Sequence, residues 1–301
     1  MKSSPPPLLI VGTGALATLF GGRLAAAGVY VKMLGTWKDA LHAIQERGVV
    51  IQGGKGNGST YPVEATDNPQ DCKGTLQALV LVKSWQTTRA AEQLSICLAE
   101  NGLALTLQNG LGNLEILEEH LGPDRAAIGV TTTGAHLAEP GVVKDGGSGG
   151  ISIGEHPRIW AMVELLRQAG FSVEVISDTL GLQWGKAIIN AAINPLTALL
   201  QVKNGELVAR PSLRALMGDT AREAGAVASA LGVRLPYPDP VEVVESVARK
   251  TAANTSSMLS DVQRGAPTEI DAINGAIVKA GEAAGVPAPV NRALWQLVKG
   301  L

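Results

Sequence analysis

Aromatic rings are scarce in this chain: its 301 residues hold five Trp, three Tyr and two Phe. Cores must therefore be assembled from Ala, Val, Leu and Ile, a composition that suits helices packed on a mostly parallel sheet. Cysteine is scarcer still. Cys72 and Cys97 stand far apart without metal-type spacing, which excludes a disulfide framework and reads as two reduced thiols. The four histidines (His42, His120, His136 and His156) are scattered as well, so no metal site is expected. With a net charge of -2 and no block of Lys and Arg, nucleic acid is not an expected partner. No stretch approaches the roughly 18–20 uninterrupted apolar residues of a membrane span. The polar start and Pro5-Pro6-Pro7 lead into an apolar run that ends at Gly12, too short for a secretion signal. A cytoplasmic protein is expected.

What is present begins with Leu8-Leu9-Ile10-Val11, a fully apolar strand. It runs into Gly12-Thr13-Gly14-Ala15-Leu16-Ala17 and an alanine-rich helix from about Ala15 to Ala27. Strand, tight glycine turn and helix, in that order, are the context of a dinucleotide fingerprint. Gly12 makes the turn, Gly14 admits a pyrophosphate, and amides at the helix start meet its charge. A second strand, Val29 to Leu34, completes a βαβ unit, and its end is where such folds select the cofactor. Gly35-Thr36-Trp37-Lys38 offers no carboxylate for a ribose 2′-hydroxyl before Asp39, whereas Thr36 and Lys38 suit a 2′-phosphate. NADP is thereby favoured over NAD. An exposed Lys38 reads equally as a solvated charge opening the helix Lys38 to Arg47.

A glycine-rich hairpin follows over Gly48 to Val63, turning at Gly53 to Gly58. Ala78 to Val82 and Leu103 to Leu107 read as buried parallel strands, ending in Lys83-Ser84-Trp85-Gln86 and Gln108-Asn109-Gly110. Ligands of open α/β sheets bind outside strand carboxyl ends, which makes Lys83, Gln86 and Asn109 site candidates. A helix start explains Lys83 and Gln86 as well, and a turn dipeptide explains Asn109-Gly110. Strand signals at Ala126 to Val130, Thr131 to Thr133, Val142-Val143 and Ile151 to Ile153, a helix Arg158 to Gln168 and a strand Phe171 to Val175 complete this half.

Strand signals stop after Ile176. Apolar runs at helical spacing cover Leu180 to Leu200, Ser212 to Leu231, Pro240 to Ala253, Thr268 to Ala284 and Pro289 to Val298, punctuated by Gly and Pro. The expected fold is α/β: an N-terminal Rossmann-type dinucleotide-binding domain, residues 1–177, then an all-α substrate domain, residues 178–301, with the substrate cleft between them. In the first helical run, W-G-K-A-I-I-N-A-A-I-N-P, residues Lys186, Asn190 and Asn194 recur at i, i+4 and i+8 and share one slowly drifting stripe. Two readings stand. The stripe is the wall of a polar pocket, because buried polar groups are costly without partners, or it faces water. Pro195 is expected to kink this helix. Further on, Ser256 or Ser257 reads as an N-cap, and Glu269, opening the helix from Thr268, has a plain dipole explanation.

Eight motifs then combine: G-x-G-A-L-A after the first strand, V-K-S-W-Q at 82–86, Q-N-G at 108–110, G-V-T-T-T at 129–133, W-G-K-x-x-x-N-x-x-x-N-P-L-T-A at 184–198, N-G-E-L at 204–207, N-T-S-S-M-L-x-D at 254–261 and T-E-I-D-x-I-N-G at 268–275. In this order, from Ile10 to about Val298, the chain resembles the ketopantoate reductase (2-dehydropantoate 2-reductase) family. The resemblance implies NAD(P)H-dependent reduction of 2-dehydropantoate to pantoate in pantothenate biosynthesis, with a reductase of another small 2-oxo acid on the same fold as the alternative. It puts the catalytic lysine on Lys186 and its carboxylate partner on Glu269. Substrate contacts fall on Asn190, Asn194, Asn254 and Ser257, with Asn109 near both nicotinamide and substrate. Cofactor contacts fall on Gly12, Thr13, Gly14, Ala15 and Leu16, on Thr36 and Lys38, on Lys83 and Gln86, and on Asn109 and Glu269. Many members carry an arginine where this chain has Thr36, so NADPH is favoured and NADH is the alternative. The implied partners are a small 2-oxo acid and the cofactor, with a homodimer as the candidate assembly.

These residue types suit the chemistry. Hydride addition to C2 of a 2-oxo acid creates an alkoxide that needs a proton donor and nearby positive charge, and a lysine ammonium supplies both. Asn and Ser donors orient the substrate, and closure of the two domains would assemble the site.

Overall fold

The first strand, β1 (Leu8–Val11), is buried at all four positions. Its side chains alternate between two cores, Leu8 and Ile10 in one and Leu9 and Val11 in the other. A strand covered on both faces accounts for an apolar run without alternation. The computed structural model describes residues 7–53, 58–147 and 149–301, so most of the turn expected at Gly53 to Gly58 lies outside the described residues. After β1 come α1 (Ala15–Ala26), β2 (Val31–Leu34), α2 (Lys38–Arg47), β3 (Val49–Gln52), β4 (Gly58–Tyr61), β5 (Glu64–Thr66) and β6 (Thr75–Val80). They are followed by α3 (Thr87–Cys97), β7 (Leu98–Thr106), α4 (Asn113–Leu121), β8 (Ala126–Thr131), β9 (Ala135–Glu139), β10 (Val142–Asp145), β11 (Gly150–Gly154), α5 (Trp160–Gln168) and β12 (Ser172–Ile176).

The main sheet has the order β12-β11-β8-β7-β6-β1-β2-β5. From β5 to β8 every pairing is parallel, while β11 meets β8 antiparallel. Strand order reverses at β1, between β2 and β6, and the carboxyl ends of strands at such a reversal are where doubly wound sheets hold ligands. A second sheet, β4-β3-β10-β9, packs on α1. The two phenylalanines, Phe20 and Phe171, stack with centroids 4.2 Å apart in the larger of this unit's cores.

The other compact unit is helical: α6 (Thr179–Leu200), α7 (Asn204–Ala209), α8 (Pro211–Ala230), α9 (Pro240–Lys250), α10 (Ser257–Gln263), α11 (Ala276–Ala284) and α12 (Pro289–Lys299). Helices α8, α9 and α12 each place proline in the first turn, where its missing amide hydrogen costs nothing. One apolar core, including Trp184, Ile188, Leu207, Met217, Val244 and Leu294, joins them. Two short segments from the first half of the sequence, Lys83–Trp85 and Asn109–Gly112, belong to this unit by their contacts.

The helix expected from Thr268 is regular only from Ala276. Before it, Asp271–Gly275 forms a π-helical turn, with Gly275 donating to the Ile270 carbonyl five residues back at 3.0 Å. Glu269 therefore stands ahead of the helix rather than in its first turn. Helix α6 continues through Pro195. Among the described residues no helix is long and apolar enough to cross a membrane.

Candidate active site

At the end of β1, Gly12 has φ +127°, and a Cβ there would lie 3.1 Å from the Leu81 backbone, so glycine is required. Gly14 precedes α1, and the space where its Cβ would stand is open to 4 Å. No side chain caps α1 and no acid occupies its first turn, which leaves the amides and the positive end of the helix dipole for an anion. Thr13 is buried, and Ala15 and Leu16 open the helix. After β2, Thr36 is exposed and Lys38 forms an ion pair with Asp67. Gln86 is half-buried just before α3. Gln108, given no role from the sequence, ties strand ends together by donating to the Val82 carbonyl at 3.0 Å and to the Thr87 hydroxyl at 2.8 Å.

In the helical unit the polar side chains converge on Glu269, which is 5% exposed. Its Oε1 accepts from the Ser84 amide at 3.0 Å, and its Oε2 accepts from Asn109 Nδ2 at 3.4 Å and lies 3.5 Å from Lys83 Nζ. Gly110 makes this approach feasible: its φ is +88°, and a Cβ would press on the Ala272 carbonyl at 2.8 Å. Lys83 Nζ also donates to Asp261 Oδ2 at 2.6 Å, and Asp261 Oδ1 accepts from Arg264 at 2.7 Å. Burial works against the Lys83 ammonium, but Glu269 and Asp261 outweigh it and hold its pKa above the ordinary lysine value. At Lys186 burial dominates and lowers the pKa to about 8, with Glu269 pulling the other way.

Lys186 and Asn190 are half-buried and Asn194 is only 7% exposed, so the stripe on α6 is not a solvent face. Ser256, not Ser257, caps α10: its Oγ accepts from the Leu259 amide at 3.0 Å and shares a 2.7 Å hydrogen bond with Thr197 Oγ1. Thr197 lies on α6 one turn beyond Asn194, so the exposed Asn254 and Ser257 flank a serine anchored to the helix of Lys186. Lys83, Asn109, Lys186 and Glu269 are thus gathered together, with Asn190 and Asn194 on the helix that carries Lys186. The glycine turn, Thr36, Lys38 and Gln86 belong to the other compact unit. Asp261 and Arg264 were not singled out from the sequence, although Asp261 closes the N-T-S-S-M-L-x-D motif.

Two family models match the chain: ketopantoate reductase PanE/ApbA over residues 8–158 and ketopantoate reductase PanE/ApbA C terminal over residues 178–301. A 2-dehydropantoate 2-reductase of Archaeoglobus fulgidus is 38% identical over 97% of this chain and 96% of its own. Among solved structures, a PanE/ApbA family ketopantoate reductase from Ralstonia eutropha JMP134 superposes with a TM-score of 0.90 at 34% identity, covering 97% of each chain. A D-mandelate dehydrogenase in ternary complex with NADH and anilino(oxo)acetate superposes with a TM-score of 0.89 at 25% identity, over 98% of this chain and 97% of that one.

Proposed function

Because the chain belongs to the ketopantoate reductase family, we propose that it catalyses NADPH-dependent reduction of 2-dehydropantoate to pantoate, serving pantothenate synthesis in the cytoplasm. The observation that carries this reading is Lys186, lowered to about 8 and drawn electrostatically to the buried Glu269. When bound, the nicotinamide supplies the hydride. The open space over Gly14 and the uncapped start of α1 fit a pyrophosphate, held by amides from Gly12 to Leu16. Lys83, Gln86 and Asn109 would also hold the cofactor, and Asn109 would contact the substrate as well.

Lys186 donates its proton to the oxygen on C2 as negative charge develops there, and its own charge stabilises that oxygen. Glu269 keeps the ammonium in place and helps to hold the cofactor. Asn190, Asn194, Asn254 and Ser257 bind the substrate carboxylate and hydroxyl. NADPH is favoured because no carboxylate ends β2. A 2′-phosphate must compete with Asp67 for Lys38, so the preference over NADH is modest. The likeness to a D-mandelate dehydrogenase supports a second reading, reduction of another 2-oxo acid on the same scaffold.

The test is kcat/KM with NADPH and with NADH across a panel of 2-oxo acids, including 2-dehydropantoate and phenylglyoxylate, following cofactor oxidation. Highest efficiency is expected for 2-dehydropantoate with NADPH. A different acid turned over far better would transfer the assignment to the second reading, and no turnover with any acid would end both.

A further inference from the structure

Pro195 interrupts the hydrogen-bond ladder of α6 at one defined place. Proline has no amide hydrogen, so the carbonyl four residues earlier, that of Ala191, loses its helical donor. Ala191 is fully buried, where a carbonyl needs a partner. The partner comes from outside the helix: Asn274 Nδ2 donates to the Ala191 carbonyl at 3.1 Å.

The orientation of this carboxamide is determined by its neighbours. Asn274 Nδ2 also donates to Asn291 Oδ1 at 3.1 Å. Asn291 Nδ2 in turn donates to the Thr220 carbonyl at 3.1 Å and to Glu223 Oε2 at 3.0 Å, and Glu223 accepts the amides of Val290 and Asn291, each at 2.9 Å. Reversing either amide would set oxygen against oxygen. Asn274 and Asn291 are both 0% exposed, and Asn274 Oδ1 has no partner among the described residues. The amide is thus kept in the core for its donor end alone.

Placement gives that donor a role. Asn274 lies in the π-helical turn that begins two residues after Glu269, and Ala191 adjoins Asn190 on the helix of Lys186. The same two segments are therefore coupled twice, by charge between Lys186 and Glu269 and by the bond from Asn274 to Ala191. We propose that Asn274 is a positioning residue for the reduction: it stands in for the donor that Pro195 removes and holds the stripe of Lys186, Asn190 and Asn194 in register with Glu269. This rests on the reading of Lys186 and Glu269 as the reacting pair.

A cycle of four proteins tests it: the parent, Asn274→Ala, Pro195→Ala and the double variant, compared by kcat, substrate KM, cofactor Kd and thermal midpoint. Pro195→Ala supplies an amide hydrogen to Ala191 from within the helix. Asn274→Ala should lower kcat by about ten- to a hundredfold, the scale of a misplaced reacting group, with cofactor Kd changed far less. The double variant should recover most of that loss, in activity and in midpoint. Losses that simply multiply in the double variant, or an unchanged kcat in Asn274→Ala, would overturn the proposal. If Asn274→Ala does not fold, Asn274→Ser, which leaves less empty space, carries the same cycle. Lys186→Ala in the same assay separates the two failures. Turnover retained there ends the reading of the site, whereas turnover lost there with no rescue in the double variant ends the role of Asn274 alone.

Discussion

Lys83 and Lys186 both feel Glu269, yet their surroundings drive them in opposite directions. Burial opposes the charge at each. Around Lys83 two carboxylates, Asp261 at 2.6 Å and Glu269 at 3.5 Å, outweigh that penalty and the ammonium is held above its ordinary range. Around Lys186 burial wins and the pKa falls to about 8. A lysine whose desolvation outweighs the pull of Glu269 gives up its proton more readily, whereas one held between two carboxylates stays a cation. Under the proposed function this difference would suit Lys186 to proton transfer and Lys83 to holding an anionic group of the cofactor.

The largest effect expected from this division is that of Lys186→Ala. Loss of a positioned general acid should lower kcat by about 10²- to 10⁴-fold while cofactor Kd stays near that of the parent. Turnover close to the parent's would remove Lys186 from the acid role and dissolve the contrast. Lys83→Met should act differently. Losing one charge-assisted hydrogen bond, worth about 1.5–3 kcal/mol, raises the cofactor KM by roughly ten- to a hundredfold and leaves kcat much less affected. A kcat in Lys83→Met as low as that of Lys186→Ala would mean that both lysines belong to the chemistry.

The contrast between the lysines was only partly legible in the sequence, and the reason is distance along the chain. The glycine turn was readable because its strand, glycines and helix are contiguous, and its conformation depends on backbone sterics at Gly12 rather than on remote partners. The charge of Glu269 reaches Lys186 only through tertiary packing, so the sequence alone shows a polar stripe and an ordinary helix-start acid, which only the resemblance joins. Asp261 lay inside a recognised motif, but the lysine that gives it meaning comes from the other half of the chain. The π-helical turn left no trace because Ile270, Ile273 and Ile277 keep spacings that a regular helix also allows. Strands β5 (Glu-Ala-Thr) and β9 (Ala-His-Leu-Ala-Glu) hold no Val or Ile and so give no strand signal, unlike β12 with two Val and one Ile. Helix α7 is too brief to establish a period. A proline in a helix does announce an orphaned carbonyl, but nothing local says that Asn274 will meet it.

The smallest effect distinguishes the two lysines by the pH at which activity is lost. Reduction requires the donor in its charged form, so kcat/KM should be level at lower pH and fall as pH rises through about 8, halved there. Oxidation of pantoate needs the neutral amine and should rise through the same pH. The loss is not unfolding. With Lys186 lowered from its ordinary 10.5 to about 8, the unfolded chain binds more protons across that interval, and the contribution of this group to stability increases with pH there. Lys83, held above the ordinary value, has no transition in this range. The break near pH 8 should therefore persist in Lys83→Met and vanish from the residual activity of Lys186→Arg, whose guanidinium does not titrate there. A break that survives in Lys186→Arg would assign the proton to another group, and one found only above pH 10 would assign it to Lys83.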